Sequence, residues 1–179
     1  MRRLLAWLLC LPLAGCFIGA EDLPPDFERP GPQGRYGASV AFDAARSRLI
    51  TYGGENDVGI QTTTWSFAQG RWSRLTGAGP PAREGAAMVY DVERDRIVLF
   101  GGELVDPSEP CDATWELIGE AWIRVDVPAP TCRRGHVMTY DAEARRVLLF
   151  GGFAEEGCAG GACQQTWAYD GTWTLVNAP

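Results

Sequence analysis

Residues 146–152 read RVLLFGG, a short apolar run that ends at two glycines. The same pattern occurs twice more, as RLITYGG over residues 48–54 and RIVLFGG over residues 96–102, so the copies lie 48 and 50 residues apart. A phosphate-binding loop would continue with Lys and then Ser or Thr, whereas these glycine pairs are followed by Glu55, Glu103 and Phe153. Three copies in one chain indicate a structural repeat of about 50 residues.

Each copy extends well beyond these seven residues. A further glycine lies 16 residues before each pair, with an arginine two residues before it and an aspartate six residues after it. Two tryptophans follow each pair, and the distance from the pair to the first of them grows from 11 to 13 to 15 residues. Fixed spacing indicates framework, and the variable spacing indicates a loop. The recurring residues are Arg35, Arg83 and Arg133; Gly37, Gly85 and Gly135; Asp43, Asp91 and Asp141; and Trp65, Trp72, Trp115, Trp122, Trp167 and Trp173.

Every copy predicts four short strands. In the third copy these are HVMTYD, RVLLF, QTWAY and TWTLV, and such aromatic and β-branched runs bounded by Gly, Pro and Asp are typical of strands. The 22 glycines and 12 prolines argue against long helices. We therefore expect an all-β fold. We also expect each aspartate that ends a first strand to pair with the arginine that begins the second, as Asp43 with Arg48, Asp91 with Arg96 and Asp141 with Arg146.

The pattern resembles the kelch repeat of galactose oxidase-like β-propellers. An apolar run ending in Phe or Tyr and Gly-Gly, a variable loop, an aromatic strand and a second Trp six or seven residues on are found in all three copies, although Trp stands in the third strand where Tyr is commoner. The resemblance covers residues 34–179. It implies one blade of four antiparallel strands per repeat, with blade 1 at residues 34–81, blade 2 at 82–130 and blade 3 at 131–179, and with the tryptophans packed between blades.

Three blades do not close a propeller, because closed rings contain about 4–8 blades. The chain is expected to be a fragment of a longer kelch protein or an incomplete, open arc. Self-association of two copies into a six-bladed ring is the second interpretation, since uncovered blade faces at both ends are apolar and favour association.

The N-terminal residues predict export and anchoring. Residues 1–15 contain two arginines, an apolar run and small residues, as in a signal peptide. Residues 13–16, LAGC, resemble the bacterial lipobox, which implies cleavage before Cys16 and lipidation of its thiol. Ordinary cleavage after Ala20 is the alternative, and it would leave Cys16 without a role. The proline-rich residues 16–33 predict a stiff tether. We expect a lipid-anchored protein of the bacterial cell envelope, on the periplasmic face or the cell surface.

Four further cysteines suit an oxidising compartment. Loops that follow the second strand and links that follow the fourth emerge at the same rim of an antiparallel blade, so all four thiols are expected on one side. Three pairings are possible, and we favour the one that joins Cys111 to Cys132 and Cys158 to Cys163. Their spacing and the lack of histidine partners argue against a zinc site.

The charge and the composition exclude several functions. The net charge is −7 and no basic run occurs, so nucleic acid is not an expected partner. His136 is the only histidine, and one histidine cannot supply the copper site of the kelch-type oxidases. We expect no metal, no cofactor and no catalytic residue. One alternative is a carbohydrate-active kelch enzyme similar to the sialic-acid mutarotases, which would need a central channel that three blades do not enclose. The other is a propeller fragment without a function of its own.

Loops on one rim are the expected binding surface. We predict a binding or scaffold protein whose rim contacts a protein or a carbohydrate ligand, because loops on a rigid scaffold commonly carry binding sites. The alternative is a solvated acidic rim that only keeps the domain soluble. The candidate rim residues are Arg35, Arg83, Arg133, Glu55, Asp57, Glu103, Asp106, Glu155 and Glu156.

Overall fold

The computed structural model of the protein describes residues 31–106 and 108–177. The predicted signal peptide, Cys16 and the tether up to residue 30 lie outside the described residues. The described chain is almost entirely strand and turn, with a single turn of 3-10 helix at Ala159–Gly161. None of its helices is long and apolar enough to cross a bilayer. The prediction of an all-β fold is confirmed.

Blade 1 is a four-stranded antiparallel sheet formed by the first repeat. Its strands are β1 (Ser39–Asp43), β2 (Arg48–Tyr52), β5 (Thr64–Ala68) and β6 (Arg71–Leu75), in that spatial order. A small hairpin, β3 (Glu55–Asn56) with β4 (Gly59–Ile60), lies in the loop between β2 and β5.

Blades 2 and 3 repeat this arrangement. Blade 2 consists of β8 (Ala87–Asp91), β9 (Arg96–Phe100), β11 (Thr114–Ile118) and β12 (Ala121–Val125). A short pair beside it joins β7 (Arg83–Glu84) to β10 (Glu103–Leu104). Blade 3 consists of β13 (Val137–Asp141), β14 (Arg146–Phe150), β15 (Thr166–Tyr169) and β16 (Trp173–Asn177). The fold is therefore three propeller-like blades in an open arrangement.

The expected aspartate–arginine pairs form in only part of the molecule. In all three blades the aspartate faces the arginine across the first two strands. Asp43 and Arg48 form an ion pair at 2.9 Å, and Asp141 and Arg146 approach only to 4.0 Å. In blade 2 the two residues face each other but do not form an ion pair, because Asp91 binds Arg94 at 2.8 Å while Arg96 turns to the Glu116 carboxylate at 2.6 Å. A buried glutamate in the third strand of that blade attracts both arginines.

The hydrophobic core lies between blades. One cluster joins blade 1 to blade 2 around Ile50, Tyr52, Tyr90 and Leu99, and a second joins blade 2 to blade 3 around residues such as Phe100. Because successive side chains of a strand point to opposite faces, blade 2 contributes to both clusters and its β9 is buried on both sides. Within residues 31–106 and 108–177, no cluster of this kind covers the outward faces of blades 1 and 3.

The glycine pairs permit close approach between neighbouring blades. Gly53 and Gly101 both have φ of about 70°, a region that side chains disfavour. A Cβ at Gly53 would lie 2.4 Å from the Arg83 carbonyl oxygen, and one at Gly101 would lie 2.4 Å from that of Arg133. The second strands of blades 1 and 2 therefore end where the next blade's link crosses them.

The contacts of blade 1 begin before residue 34. Gly31 lies against the indole of Trp72, just as Gly79 lies against that of Trp122 in blade 2. A proline follows each of these glycines in the sequence. The last residues of the predicted tether are thus part of the first repeat.

Candidate functional site

The loops after each second strand and the links between blades meet at one rim, as the sequence predicts. Tyr36 and Glu55 exchange backbone hydrogen bonds of 3.0 and 2.9 Å, and Arg134 and Phe153 exchange bonds of the same lengths. In blade 2 the corresponding contact is the pairing of β7 with β10. In each blade, therefore, the residue that follows the recurring arginine binds the residue that follows the glycine pair.

A cleft of about 500 Å³ opens at this rim between blades 2 and 3. Its walls are the loop after β9, the link that leads into blade 3 and the loop after β14. The lining residues are Gly102, Glu103, Glu109, Pro110, Cys111, Asp112, Thr131, Cys132, Arg133, Arg134, Phe153, Ala154, Glu155 and Glu156.

Two disulfides hold these loops, and they are the two pairings that the sequence analysis favours. Cys111 and Cys132, with Cα atoms 5.3 Å apart, tie the blade 2 loop to the link before blade 3. Cys158 and Cys163, with Cα atoms 5.0 Å apart, close the loop after β14 on itself. The first bridge lies in the wall of the cleft, so a covalent bond fixes the distance between two of its sides.

Two of the predicted rim arginines are buried rather than exposed. Arg83 and Arg133 are each 1% exposed. Their guanidinium groups donate to the carbonyl oxygens of Gly101 and Gly151, at 2.9 and 3.2 Å. This corrects their assignment to a ligand-contacting surface: they hold the link to the glycine pair of the same blade. Burial lowers the pKa of both groups, that of Arg83 to about 10.

Arg133 nevertheless supports the cleft from beneath. Its guanidinium also donates to the Thr131 hydroxyl at 3.2 Å and to the Gln165 side-chain oxygen at 2.9 Å. The bonds of Arg133 to Gly151 and to Gln165 connect the link before blade 3 to both ends of the loop after β14. Gly157, at the tip of that loop, lies against Thr131 so closely that a Cβ there would be 2.9 Å from its methyl group.

The exposed part of the cleft combines an aromatic ring with carboxylates. The guanidinium of Arg134 lies 5.6 Å from the centre of the Phe153 ring and forms an ion pair with Glu103. The other carboxylates of the lining are Glu109, Asp112, Glu155 and Glu156, and no described residue forms an ion pair with them. The accessible surface is therefore acidic around one half-exposed aromatic side chain.

The remaining predicted rim residues lie away from the cleft. Arg35 donates to the Gly53 carbonyl oxygen at 3.1 Å in blade 1, where Glu55 accepts a hydrogen bond from the Tyr36 hydroxyl. Asp57 is exposed in the loop between β3 and β4. Asp106 accepts a 2.7 Å hydrogen bond from the Ser108 hydroxyl, which lowers the pKa of its carboxyl. Of the predicted set, the cleft brings together Glu103, Arg133, Glu155 and Glu156.

Sequence reasoning did not identify Phe153 as a candidate. The signal was present, because the first two glycine pairs are followed by glutamate and the third by an aromatic residue. The repeat pattern draws attention to what the copies share, whereas this position differs between them.

His136 lies beneath the rim and is 5% exposed. Its ring is 5.7 Å from that of Phe100 and meets it edge-on. Burial, together with the charge of Arg133, lowers the pKa of His136 to about 4. A histidine that is neutral and enclosed at pH 7 packs between blades and is not placed to exchange protons with a ligand.

In the described part of the chain, no group of three or more His, Cys, Asp or Glu side chains is placed to hold a metal ion. Comparison with protein-family models and with curated proteins finds no match for the chain.

Proposed function

We propose that this protein is a kelch-type propeller module, anchored in the bacterial envelope, that binds another protein through the cleft between blades 2 and 3. The cleft carries the proposal: it is concave, it is held by a disulfide, and it places five carboxylates around an aromatic ring. Binding sites commonly combine such a cavity with a few convergent polar groups. The kelch assignment is supported by the three in-phase sequence copies, each of which corresponds to one blade.

The chemistry of the lining favours a basic segment of a protein over a neutral ligand. Carboxylates without a cationic partner attract Lys and Arg side chains, and charge complementarity of this kind guides association. The face of an aromatic ring also attracts a cation, and Arg134 already lies over Phe153. An arginine of the ligand would likewise meet a carboxylate and the face of the aromatic ring. Binding of a carbohydrate instead is one outcome of the test below.

The binding test uses immobilised peptides rich in Lys and Arg and, in parallel, a glycan array. We expect binding to the basic peptides, weakened by salt because exposed charges are screened. The double variant Glu155→Gln and Glu156→Gln should weaken it about tenfold. Glu143→Gln is the control, because that residue is exposed in the turn between β13 and β14, away from the cleft. Equal binding by all three proteins, or binding to glycans alone, would contradict the proposal.

The envelope location rests on separate observations. The two disulfides fit an oxidising compartment outside the cytoplasm, and residues 13–16 resemble a lipobox. Two acyl chains or more anchor a protein stably, whereas one does not. We expect the protein in the membrane fraction of bacteria that express it, with a diacylglyceryl group on Cys16 detectable by mass spectrometry. Cys16→Ser should move the protein to the soluble fraction. A wild-type protein that is soluble and carries no lipid would contradict the anchor.

A further inference from the structure

The outward face of blade 3 exposes a residue that is buried in the other two blades. Tyr52, Phe100 and Phe150 each end the second strand of a blade. Tyr52 and Phe100 are 1% and 0% exposed, because each meets a tryptophan of the following blade with ring centres 5.5 and 5.1 Å apart. Phe150 is 53% exposed. The face therefore has the form of a junction that no described blade completes.

The outward face of blade 1 exposes the complementary half. Phe42 is 59% exposed, whereas Tyr90, at the same position of blade 2, is 8% exposed against blade 1. Val40 and Phe67 on the same face are exposed as well, while their counterparts Met88 and Leu117 are buried. The outward face of blade 1 thus matches the face of blade 2 that packs against blade 1.

The two existing junctions are built from the same hydrogen bonds. Across each one, a tryptophan Nε1 donates to a threonine hydroxyl at 2.8 Å: Trp122 to Thr64 and Trp173 to Thr114. The glycine two residues after each recurring arginine donates its amide N–H to the carbonyl oxygen of the matching glycine in the preceding blade at 2.9 Å. These bonds run from Gly85 to Gly37 and from Gly135 to Gly85. A third bond runs from each glycine pair to the arginine carbonyl of the next blade, from Gly54 to Arg83 and from Gly102 to Arg133.

Each outward face carries one half of this set. At the matching positions of the repeat, blade 3 has the hydroxyl of Thr166, the carbonyl of Gly135 and the amide of Gly152. Blade 1 has the groups that would pair with them, which are the indole N–H of Trp72, the amide of Gly37 and the carbonyl of Arg35. No described residue supplies the other half of these bonds.

The conformation of Gly151 agrees with a missing neighbour. Its φ of 73° matches that of Gly53 and Gly101. A Cβ at either of those two would clash with a carbonyl oxygen of the following blade, whereas the nearest atom to a Cβ at Gly151 is the Cys163 oxygen at 3.6 Å. The backbone is shaped for an approach that nothing in the described chain makes.

We propose that a second copy of this chain covers both faces, so that two three-bladed arcs form one six-bladed ring. Each donor of one face then meets the acceptor that the repeat places opposite it on the partner, and the two new junctions are identical under a twofold axis. Propellers contain about 4–8 blades, and six is the multiple of three in that range. The cleft between blades 2 and 3 lies within one chain, so assembly and ligand binding can be tested separately.

The first test is the mass of the protein by sedimentation equilibrium at micromolar concentrations. All proteins carry Cys16→Ser, so that a lipid anchor cannot mediate association. We expect a species with twice the mass of one chain. A monomer would overturn the proposal, as would open polymers whose mass keeps growing with concentration, because these would mean that the arcs do not close.

Charged substitutions then test which faces meet. Phe150→Lys and Phe42→Lys should each raise the dissociation constant of the dimer by at least about a hundredfold, because every ring loses two packed phenylalanines. Val92→Lys is the matched control, since Val92 is 57% exposed but lies in the turn between β8 and β9. Circular dichroism establishes that the variants are folded. A dimer that both face variants leave intact would overturn the assignment of the faces.

A mixing experiment tests whether the blade 3 face of one copy meets the blade 1 face of the other, even if one variant is less stable. The Phe150→Lys protein retains an intact blade 1 face, and the Phe42→Lys protein retains an intact blade 3 face. We expect each to be monomeric alone and the mixture to form a heterodimer through the one junction that is unaltered. Absence of the heterodimer from the mixture of folded proteins would contradict the proposal.

Discussion

The indole Nε1 of Trp122 donates to the hydroxyl of Thr64 at 2.8 Å across the junction between blades 1 and 2, and Trp173 repeats this bond with Thr114 one blade further on. In both bonds the tryptophan comes from a fourth strand and the threonine begins a third strand. A bond that recurs at the same repeat position fixes the register of one blade against the next.

Removal of one such acceptor should therefore be costly. Thr114→Val keeps the shape of the side chain but leaves the buried indole of Trp173 without a partner, which costs about 1–3 kcal/mol. We expect a loss of this size in the free energy of unfolding, measured by urea denaturation at a fixed protein concentration. Thr62→Val, in an exposed loop, is the control and should have little effect. Equal stability of the two variants would show that the bond is not structural.

Glu116 is a buried carboxylate that connects two blades. It accepts bonds from Arg94 and Arg96 at 2.9 and 2.6 Å and from the hydroxyl of Tyr169 in blade 3 at 2.9 Å. Because loss of one buried charge leaves its partners uncompensated, Glu116→Gln should lower the free energy of unfolding by about 3 kcal/mol, the low end for a buried pair since Arg94 and Arg96 are partly exposed. The control is Asp126→Asn, which removes an exposed ion pair worth less than about 1 kcal/mol. Guanidinium denaturation distinguishes the two, and similar losses would contradict the role of Glu116.

His136 predicts a pH dependence of stability. Its pKa is about 4 in the folded protein against 6.5 for the free side chain, so the unfolded chain binds the proton first as the pH falls. This difference in pKa contributes about 3 kcal/mol to the free energy of unfolding. The contribution is complete above pH 6.5 and is lost progressively as the pH falls to about 4. His136→Asn should abolish this contribution. Calorimetry between these pH values should show the stabilities of wild type and variant converging as pH falls, and parallel curves would refute the assignment.

The two disulfides should differ in what they contribute. Cys111 and Cys132 are separated by 21 residues and Cys158 and Cys163 by 5, and a longer loop restricts the unfolded chain more. On that basis, replacing the first pair by serines should cost about 3 kcal/mol and replacing the second about 2 kcal/mol. Thermal unfolding of the two double variants gives the order. The reverse order would mean that loop length does not govern their contributions.

The arrangement of strands could be predicted because it depends on a repeated pattern. The apolar run, the glycine pair and the spaced tryptophans recur at matching positions in the sequence, and each copy forms one antiparallel sheet. Three copies of one strand pattern support the same assignment of strands independently. The local pairing of Asp91 was misjudged, because the competing carboxylate, Glu116, has no equivalent in the other two repeats, where Ser66 and Ala168 stand.

The cleft was only partly predictable for a physical reason. That the loops and links share a rim follows from the topology of an antiparallel blade, and so Glu103, Glu155 and Glu156 were placed correctly near one another. The burial of Arg83 and Arg133 does not follow from composition, because a cation is buried only where hydrogen-bond acceptors or an opposite charge are arranged to receive it. Those carbonyls come from the glycine pairs, which lie 18 residues away in the sequence.

The position of blade 2 between two neighbours has a dynamic consequence. Its β9 is covered on both faces, whereas, in the part of the chain that the structure describes, β2 and β14 each belong to a blade with a neighbour on one side. In a stack where each unit contacts only its neighbours, opening starts at the ends and moves inward. For a single arc, amide hydrogens of β9 should therefore exchange with solvent last, and those of blades 1 and 3 earlier. A closed ring has no ends, and in it this gradient of protection would disappear.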